Sequence, residues 1–269
     1  MSVRDAKILK IVPNALTIGN SLCGFFAILY TQRACENNDI GDMLKVFVMG
    51  AWMIFAAMIF DALDGLAART FRATSMTGIQ MDSLSDMVTF GVAPAILVAS
   101  MTRCLCNYSP GSWQELIVYA FCSLYLGCAA LRLAIYNVKA ITEHKNSKSF
   151  SGLPSPGAAA AICVTIFFVY SLSSRETSRV DHCWVAFILP VYAAMLGMLM
   201  VSRVSYLHAG KWLISMFRNR KKQLVFGVLL LLVIIFEIDA LAALVTGYIL
   251  SGPLSLLLSK KMRRKIFED

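Results

Sequence analysis

The chain has 269 residues, of which 58% are hydrophobic and 15% are charged, with a mean hydropathy of +0.67 and a net charge of +9. These values exclude an ordinary soluble domain and indicate an integral membrane protein. The basic residues are not interleaved with aromatic residues as on an RNA-binding surface. We therefore expect the charge to reflect membrane topology and attraction to anionic membrane lipids, with no nucleic-acid partner.

Uncharged runs close to the length of a membrane-spanning helix recur along the chain, and the shorter ones can extend into their flanks. They predict an all-α fold, a polytopic membrane helix bundle of about eight transmembrane helices. The runs lie between residues 10 and 33, 45 and 61, 86 and 103, 115 and 132, 148 and 175, 181 and 203, 222 and 237, and 239 and 260.

Lysine and arginine residues are divided unevenly between the two faces of this predicted bundle. Twenty of the 25 lie before the first helix, after the last helix, or in the loops that follow the second, fourth and sixth helices. The positive-inside rule places these segments, and therefore both termini, in the cytoplasm. We expect a multi-pass protein of the cell's inner (cytoplasmic) membrane.

The whole chain, residues 1–269, is interpreted as a single domain, because no linker or internal repeat divides it. Residues 1–11 mix basic and apolar positions and are expected to lie at the membrane interface. Residues 12–202 form a six-helix core, and residues 203–222 form a basic cytoplasmic linker, for which an interfacial helix is the alternative. Residues 223–259 are expected to form a helical hairpin that braces the core from outside.

Cysteine and histidine give no sign of a metal site of their own. The eight cysteines contain no two pairs at zinc-binding spacing, and the three histidines are scattered over predicted loops. Most of the cysteines lie in apolar runs, where this residue behaves as a small hydrophobic side chain. We expect no structural disulfide.

Two acidic pairs stand at the ends of neighbouring runs: Asp61-x-x-Asp64-Gly65-x-x-Ala68-Arg69 ends the second, and Gly78-x-x-x-Asp82-x-x-x-Asp86 begins the third. On a helix, each pair points along one face. Single aspartates at helix ends often mark only the water boundary, but eight fixed positions in one frame argue against that explanation. Four convergent carboxylates need divalent cations, and their oxygen-only ligand set suits Mg²⁺ or Mn²⁺. The predicted metal ligands are Asp61, Asp64, Asp82 and Asp86.

The residues between these carboxylates favour a phosphate-containing ligand. Gly65 and Ala68 leave open space near the acidic face, and Gly78 permits close approach at the turn. Arg69 keeps its charge and suits a phosphate partner. The pattern predicts a site for a metal-bound pyrophosphate on the cytoplasmic face.

The frame D-x-x-D-G-x-x-A-R-x(8)-G-x-x-x-D-x-x-x-D resembles the motif of the CDP-alcohol phosphatidyltransferase family at all eight fixed positions. Members displace CMP from a CDP-linked alcohol. The resemblance implies that residues 12–202 are a catalytic core with two divalent ions, Mg²⁺ or Mn²⁺, both bridged by Asp61 and Asp82. It also implies that Asp86 is the catalytic base, that the active site faces the cytoplasm and that the protein is a homodimer.

The same resemblance extends to contacts with the CDP-linked substrate. Gly65, Arg69, Ser75 and, at the start of the first helix, Asn14 and Thr17 match family positions that contact the nucleotide and its phosphates. The small residues Ala68 and Gly78 belong to the same candidate nucleotide site through the space that they leave.

Further stretches resemble the branch of the family whose substrates are CDP-diacylglycerol and L-serine. The resemblance covers roughly residues 12–256 and departs from the usual pattern at Ile135 and Tyr136, where arginine and phenylalanine are common. The matching stretches include Phe90-Gly91-Val92-Ala93-Pro94, Leu131-Arg132-Leu133-Ala134, Gly152-Leu153-Pro154-Ser155-Pro156 and Ser251-Gly252-Pro253.

L-Serine presents a carboxylate and an ammonium group, which both need partners. Arg132, Asn137 and Ser155 are the candidate serine-binding residues, since a cation at a cytoplasmic helix end can receive a carboxylate. Arg132 as a topology anchor that extends to the membrane surface is an open alternative. Glycerol 3-phosphate, inositol phosphate and choline are alternative acceptors, and a cation-coupled transporter is a more distant alternative.

Overall fold

The computed structural model describes residues 3–36, 39–70, 76–106, 108–142, 152–175, 182–204, 206 and 240–254. Within its helices, the side chains of residues 3–11, 35, 68, 69, 139–142, 175 and 182–186 lie outside the description. Every regular element among the described residues is helical, which confirms the predicted all-α class. The helices are α1 (Val3–Gln32), α2 (Ile40–Thr70), α3 (Met76–Asp86), α4 (Ala93–Cys106), α5 (Trp113–Thr142), α6 (Ser155–Arg175), α7 (His182–Val201) and α8 (Ala240–Leu254).

Five stretches are long and apolar enough to cross a membrane, and the chain is a polytopic membrane protein. They are Val12–Gln32, Ile40–Ala67, Met76–Cys106, Trp113–Val138 and Ser155–Ser174. Two shorter apolar helices, Phe187–Val201 and Ala240–Leu254, match the sixth and eighth predicted runs. The seventh run, residues 222–237, and most of the predicted linker at 203–222 lie outside the described residues. The total of eight spans and the position of the termini stay predictions.

Helices α3 and α4 form one continuous rod joined by a π-helical turn, Met87–Val92. Pro94 has no N–H to donate to the carbonyl of Phe90 one turn earlier. The hydroxyl of Tyr125 on α5 donates to that carbonyl instead, at 2.7 Å. The Phe90 carbonyl is therefore satisfied in spite of the wider turn. This π turn begins directly after Asp86. A π turn beside functional residues is a common arrangement.

Helix α1 packs closely against both α2 and the π turn. A Cβ atom at Gly24 would lie 2.6 Å from Oγ1 of Thr89 and 2.9 Å from its Cα, so only glycine allows this approach. The Thr89 hydroxyl donates to the carbonyl of Asn20 at 3.2 Å. This contact aligns one face of α1 with the start of the third span.

The start of α6, the end of α7 and α8 meet at one junction. The backbone N–H of Gly152 donates to Val204 at 2.8 Å, and that of Leu153 donates to Leu199 at 3.0 Å. Gly152 has φ +94°, and a Cβ there would collide with the carbonyl of Met200. The Tyr206 hydroxyl donates to the carbonyl of Ile249 on α8 at 3.3 Å. Glycine at position 152 is thus required for α6 to begin against the end of α7.

Cys104, in the last turn of α4, is disulfide-bonded. The expectation of no structural disulfide is therefore wrong at this position, because pairing depends on which helix ends meet and not on cysteine spacing. Its partner's side chain lies outside the described residues. The described free cysteines are Cys23, Cys106, Cys122, Cys128 and Cys163.

Candidate metal centre and active site

Three of the four motif aspartates form a compact cluster. Asp61 and Asp64 lie one turn apart near the end of α2, and Asp82 lies on α3, which returns from the same end. One carboxylate oxygen from each residue lies within 4.8 Å of the others. The sequence spacing therefore brings together three carboxylates that belong to two different helices.

The repulsion within this cluster has to be offset. Two full negative charges 4.8 Å apart repel by about 3.5 kcal/mol at an effective dielectric constant of 20. Three such pairs approach the whole free energy of unfolding of a typical domain. Between the side chains that the structure describes, the ion pairs are Lys45–Asp42 and Arg103–Glu115, both away from the cluster. Bound cations or protons must therefore balance the charge.

The donor set fits a hard divalent cation. It consists of carboxylate oxygens, the ligands that Mg²⁺ and Mn²⁺ prefer. Oδ1 of Asp82 is buried and accepts no hydrogen bond from the described part of the chain. A buried carboxylate oxygen without a donor is costly unless it contacts a cation or water. The cluster could hold a metal ion through Asp61, Asp64 and Asp82.

Asp86 lies outside this group of three and one turn deeper along the third span. It is close enough to Asp61 and Asp82 for their charges to interact. Its Oδ1 accepts a hydrogen bond of 3.2 Å from Nδ2 of Asn20 on α1, and Asn20 is fully buried. Oδ1 of Asn20 has no partner among the described residues. Asp86 is thus held at the inner edge of the cluster, facing α1.

Helix α1 supplies further polar contacts to the acidic helices. Oγ1 of Thr17 lies 2.9 Å from Oδ2 of Asp64 and 3.0 Å from the carbonyl of Pro13, so its one proton is shared between them. The Ser21 hydroxyl donates to the Ser85 hydroxyl at 2.8 Å, which donates to the Thr17 carbonyl at 2.9 Å. These contacts hold α1 against the cluster.

Sequence reasoning missed Asn20, Ser21 and Ser85. A signal was available, because Thr17, Asn20, Ser21 and Gly24 repeat at helical spacing in an otherwise apolar run. Such polar residues in a membrane helix face protein and not lipid. The stripe could have indicated which face of α1 meets the acidic helices.

The predicted nucleotide contacts are only partly within the description. Asn14 is exposed on α1, one turn before Thr17, and Gly65 directly follows Asp64 on α2. Gly78 lies on α3, one turn before Asp82. Ser75 and the side chains of Ala68 and Arg69 lie outside the described residues. The structure therefore gathers Thr17, Gly65 and Gly78 near the acidic cluster and leaves the roles of all these residues as predictions.

Two of the three candidate acceptor-binding residues contact each other. Nη1 of Arg132 on α5 donates to the Ser155 hydroxyl at the start of α6, at 2.5 Å. Nε of Arg132 is buried and has no partner among the described residues, and the guanidinium lies within electrostatic reach of Asp86. Oδ1 of Asn137 accepts a hydrogen bond of 2.8 Å from Ser83, the neighbour of Asp82.

This arrangement combines an anionic cluster, a deeper carboxylate and a buried cation. Cations at the cluster would attract a diphosphate, and Arg132 has N–H groups available for a second anionic group near Asp86. A hydroxyl between Asp86 and the diphosphate could then lose its proton and attack phosphorus. The geometry suits transfer of a phosphoryl-bearing group from a nucleotide diphosphate to an alcohol.

Comparison with known proteins gives an independent result. The family model for CDP-alcohol phosphatidyltransferase matches residues 10–199. A Helicobacter pylori (strain J99) protein named CDP-diacylglycerol–serine O-phosphatidyltransferase is 31% identical over 248 residues, which cover 91% of this chain and 90% of that protein. Proteins of the same name from Bacillus subtilis and Methanocaldococcus jannaschii are 30% and 31% identical, over 74% and 63% of this chain and 92% and 69% of their own lengths.

Proposed function

The chain belongs to the CDP-alcohol phosphatidyltransferase family, and we propose that it transfers the phosphatidyl group from CDP-diacylglycerol to L-serine, giving phosphatidylserine and CMP. The observation that carries this proposal is the carboxylate cluster of Asp61, Asp64 and Asp82 at the meeting point of two membrane helices. The names of the similar proteins support L-serine as the acceptor. A site at the membrane surface also suits one lipid substrate and one water-soluble substrate.

The metal-binding residues in this proposal are Asp61, Asp64, Asp82 and Asp86, with two Mg²⁺ or Mn²⁺ ions. When bound, such ions neutralise the diphosphate and the charge that develops on the departing CMP. Thr17 keeps the Asp64 carboxylate in position through its hydroxyl. Asn14, Gly65, Ala68, Arg69, Ser75 and Gly78 belong to the proposed nucleotide site, in which Arg69 supplies a permanent positive charge for phosphate.

Asp86 is the proposed catalytic base. It accepts the proton of the serine hydroxyl, whose oxygen forms a bond to the lipid-side phosphorus while the bond from that phosphorus to the CMP oxygen breaks. Asn20 donates to Oδ1 of Asp86, which leaves the other carboxylate oxygen for the substrate. A base within hydrogen-bond reach of the attacking hydroxyl contributes roughly 10²- to 10⁴-fold to the rate.

The serine carboxylate is assigned to Arg132 in this proposal. Nη1 of the Arg132 guanidinium donates to the Ser155 hydroxyl, and the guanidinium lies within electrostatic range of Asp86. Its buried Nε has no partner among the described residues, so it can donate to a bound carboxylate. Asn137, which is tied to Ser83, is the proposed polar partner closer to the metal cluster.

Topology and assembly complete the proposal. The distribution of lysine and arginine supports an inner-membrane protein with both termini and the acidic cluster on the cytoplasmic side. The homodimer implied by the family resemblance stays a prediction. Light scattering of the protein in detergent, with the detergent mass subtracted, would measure the mass of the protein component.

A CMP-release assay tests the function directly. The purified protein in detergent receives CDP-diacylglycerol, Mn²⁺ and, in separate reactions, L-serine, glycerol 3-phosphate, inositol phosphate or choline. We expect Mn²⁺-dependent CMP release with L-serine, accompanied by phosphatidylserine. Release with another alcohol and not with L-serine would overturn the acceptor assignment alone. No release with any alcohol would overturn the enzymatic proposal.

A further inference from the structure

Helix α8 contacts the first turn of α6, close to the proposed acceptor site. A Cβ atom at Gly157 would lie 3.2 Å from Cε1 of Tyr248, so the tyrosine ring rests against the α6 backbone at this glycine. Gly157 is two residues after Ser155, the acceptor of the Arg132 hydrogen bond. The Tyr248 side chain therefore lies beside the first turn of α6, where Ser155 accepts the hydrogen bond from Arg132.

Tyr206, which follows α7, fixes the position of α8 at this junction. Its hydroxyl donates to the carbonyl of Ile249, and its ring lies 5.8 Å from the ring of Tyr248, centroid to centroid. A Cβ atom at Gly252 would overlap the Tyr206 ring, at 2.2 Å from Cζ. These contacts leave little freedom for the C-terminal half of α8 to move away from α6.

Arg132 interacts electrostatically with groups on two sides. It lies within electrostatic range of Asp86 on the side of the acidic cluster and of Tyr248 on the side of α8. Its Nη1 is bonded to Ser155 and its Nε has no described partner. A long arginine side chain has about 2 kcal/mol of rotamer entropy, and one hydrogen bond to a serine does not fix the plane of its guanidinium.

We propose that Tyr248 on α8 is a positioning residue of the acceptor site, which holds the Arg132 guanidinium so that it receives the carboxylate of the acceptor alcohol. This inference rests on the proposed function, since it deepens the account of how L-serine is selected. It also changes the expected role of the C-terminal hairpin. The sequence predicts a brace outside the catalytic core, whereas α8 would form one wall of the acceptor site.

The test is Tyr248→Phe, which keeps the ring against Gly157 and removes the hydroxyl. We expect the KM for L-serine to rise roughly fivefold to tenfold, within the range for the loss of one ordinary polar interaction. The KM for CDP-diacylglycerol and the unfolding temperature in detergent should stay close to those of the wild type. Gly157→Ala, whose added methyl group displaces the Tyr248 ring, should raise the KM for L-serine in the same direction.

Tyr206→Phe is the matched control, because it removes a hydroxyl that holds α8 but does not lie beside Arg132. We expect this variant to lower the unfolding temperature and to keep the KM for L-serine within twofold of the wild type. An unchanged KM for L-serine in active Tyr248→Phe would overturn the inference and leave the proposed function standing. An equal rise in the KM for L-serine in Tyr248→Phe and Tyr206→Phe would assign the effect to the docking of α8. That result would also overturn the inference. If the wild type releases no CMP with L-serine, the proposed acceptor and this inference both fail.

Discussion

The hydroxyl of Thr17 on α1 lies 2.9 Å from Oδ2 of Asp64 on α2. Thr17 carries no charge, yet it fixes the orientation of one carboxylate of the acidic cluster from a neighbouring helix. Groups that orient metal ligands in this way commonly contribute about 10-fold to 100-fold to metal affinity. The contact therefore links the packing of α1 to the proposed metal centre.

Thr17→Val should weaken metal activation without unfolding the protein, because valine keeps the shape of threonine and removes the hydroxyl. We expect the Mn²⁺ concentration for half-maximal CMP release to rise about tenfold. Thr31→Val is the matched control, since Thr31 is also buried on α1 and donates to a carbonyl four residues earlier, Ala27. Equal Mn²⁺ requirements in Thr17→Val and the wild type would contradict the assigned role.

Asp82→Asn should have opposite effects on the metal-free and the metal-bound protein. Without metal, it removes one of three mutually repelling charges, so the unfolding temperature in EDTA should rise by a few degrees, equivalent to about 1 kcal/mol or more. With Mn²⁺, the wild type should be stabilised and the variant should not. Both effects can be measured by thermal unfolding in detergent.

Asp42→Asn provides the control for that experiment, because Asp42 is exposed and paired with Lys45 far from the cluster in the chain. It should leave stabilisation by Mn²⁺ unchanged. Full stabilisation of Asp82→Asn by Mn²⁺ would mean that Asp82 does not bind the ion.

The acidic cluster could be predicted from sequence because its determinants are local. Spacings of three and four residues put Asp61 with Asp64, and Asp82 with Asp86, on single helix faces, and a short connection makes the two helix ends neighbours. The contacts of α1 could be predicted only in part. The polar stripe at Thr17, Asn20 and Ser21 indicates a buried face, but not which partner lies opposite.

The junction around α8 could not be predicted, because it depends on residues far apart in the chain. Gly157 lies on α6, Tyr206 follows α7, and Tyr248 and Gly252 lie on α8, so no periodic pattern relates the three segments. The prediction of no structural disulfide was wrong at Cys104 for the same reason. The π turn after Asp86 has a local cause in Pro94, but its donor from α5, Tyr125, is a tertiary contact.

Asp86→Asn should abolish turnover and leave the fold intact, since asparagine keeps the hydrogen-bonding shape but is not a base. The expected loss in kcat is on the order of 10²-fold or more. Circular dichroism and unfolding temperature should match the wild type. Retention of more than a tenth of the wild-type rate would show that another group takes the serine proton.

Cys104 leads to a prediction of topology. Disulfides persist in oxidising compartments, so the end of α4 should face away from the cytoplasm. The helical rod from Asp82 to Cys104 rises about 33 Å at 1.5 Å per residue, enough to cross the hydrocarbon core. The acidic cluster should then face the cytoplasm. This agrees with the distribution of lysine and arginine.

Cysteine labelling in intact cells would test that topology. A membrane-impermeant maleimide should label Ser109→Cys, in the exposed loop after α4, and should not label Thr70→Cys, at the exposed end of α2. The wild type measures the background from native cysteines. The reverse labelling pattern would require both faces to be exchanged.

The close approach of α1 to the π turn should make Gly24 sensitive to a single methyl group. In Gly24→Ala, the new Cβ would meet Thr89 at 2.6 Å from Oγ1 and 2.9 Å from Cα, and the backbone atom cannot rotate away. We expect a loss of about 1 to 3 kcal/mol in unfolding free energy. Activity should also fall, because α1 carries Thr17 and Asn20.

Gly127→Ala is the matched helical control, with nothing within 4 Å of its Cβ, and it should gain up to about 1 kcal/mol from helix propensity. If the two variants unfold at the same temperature in detergent, Gly24 does not hold α1 against the third span in the way that the structure indicates.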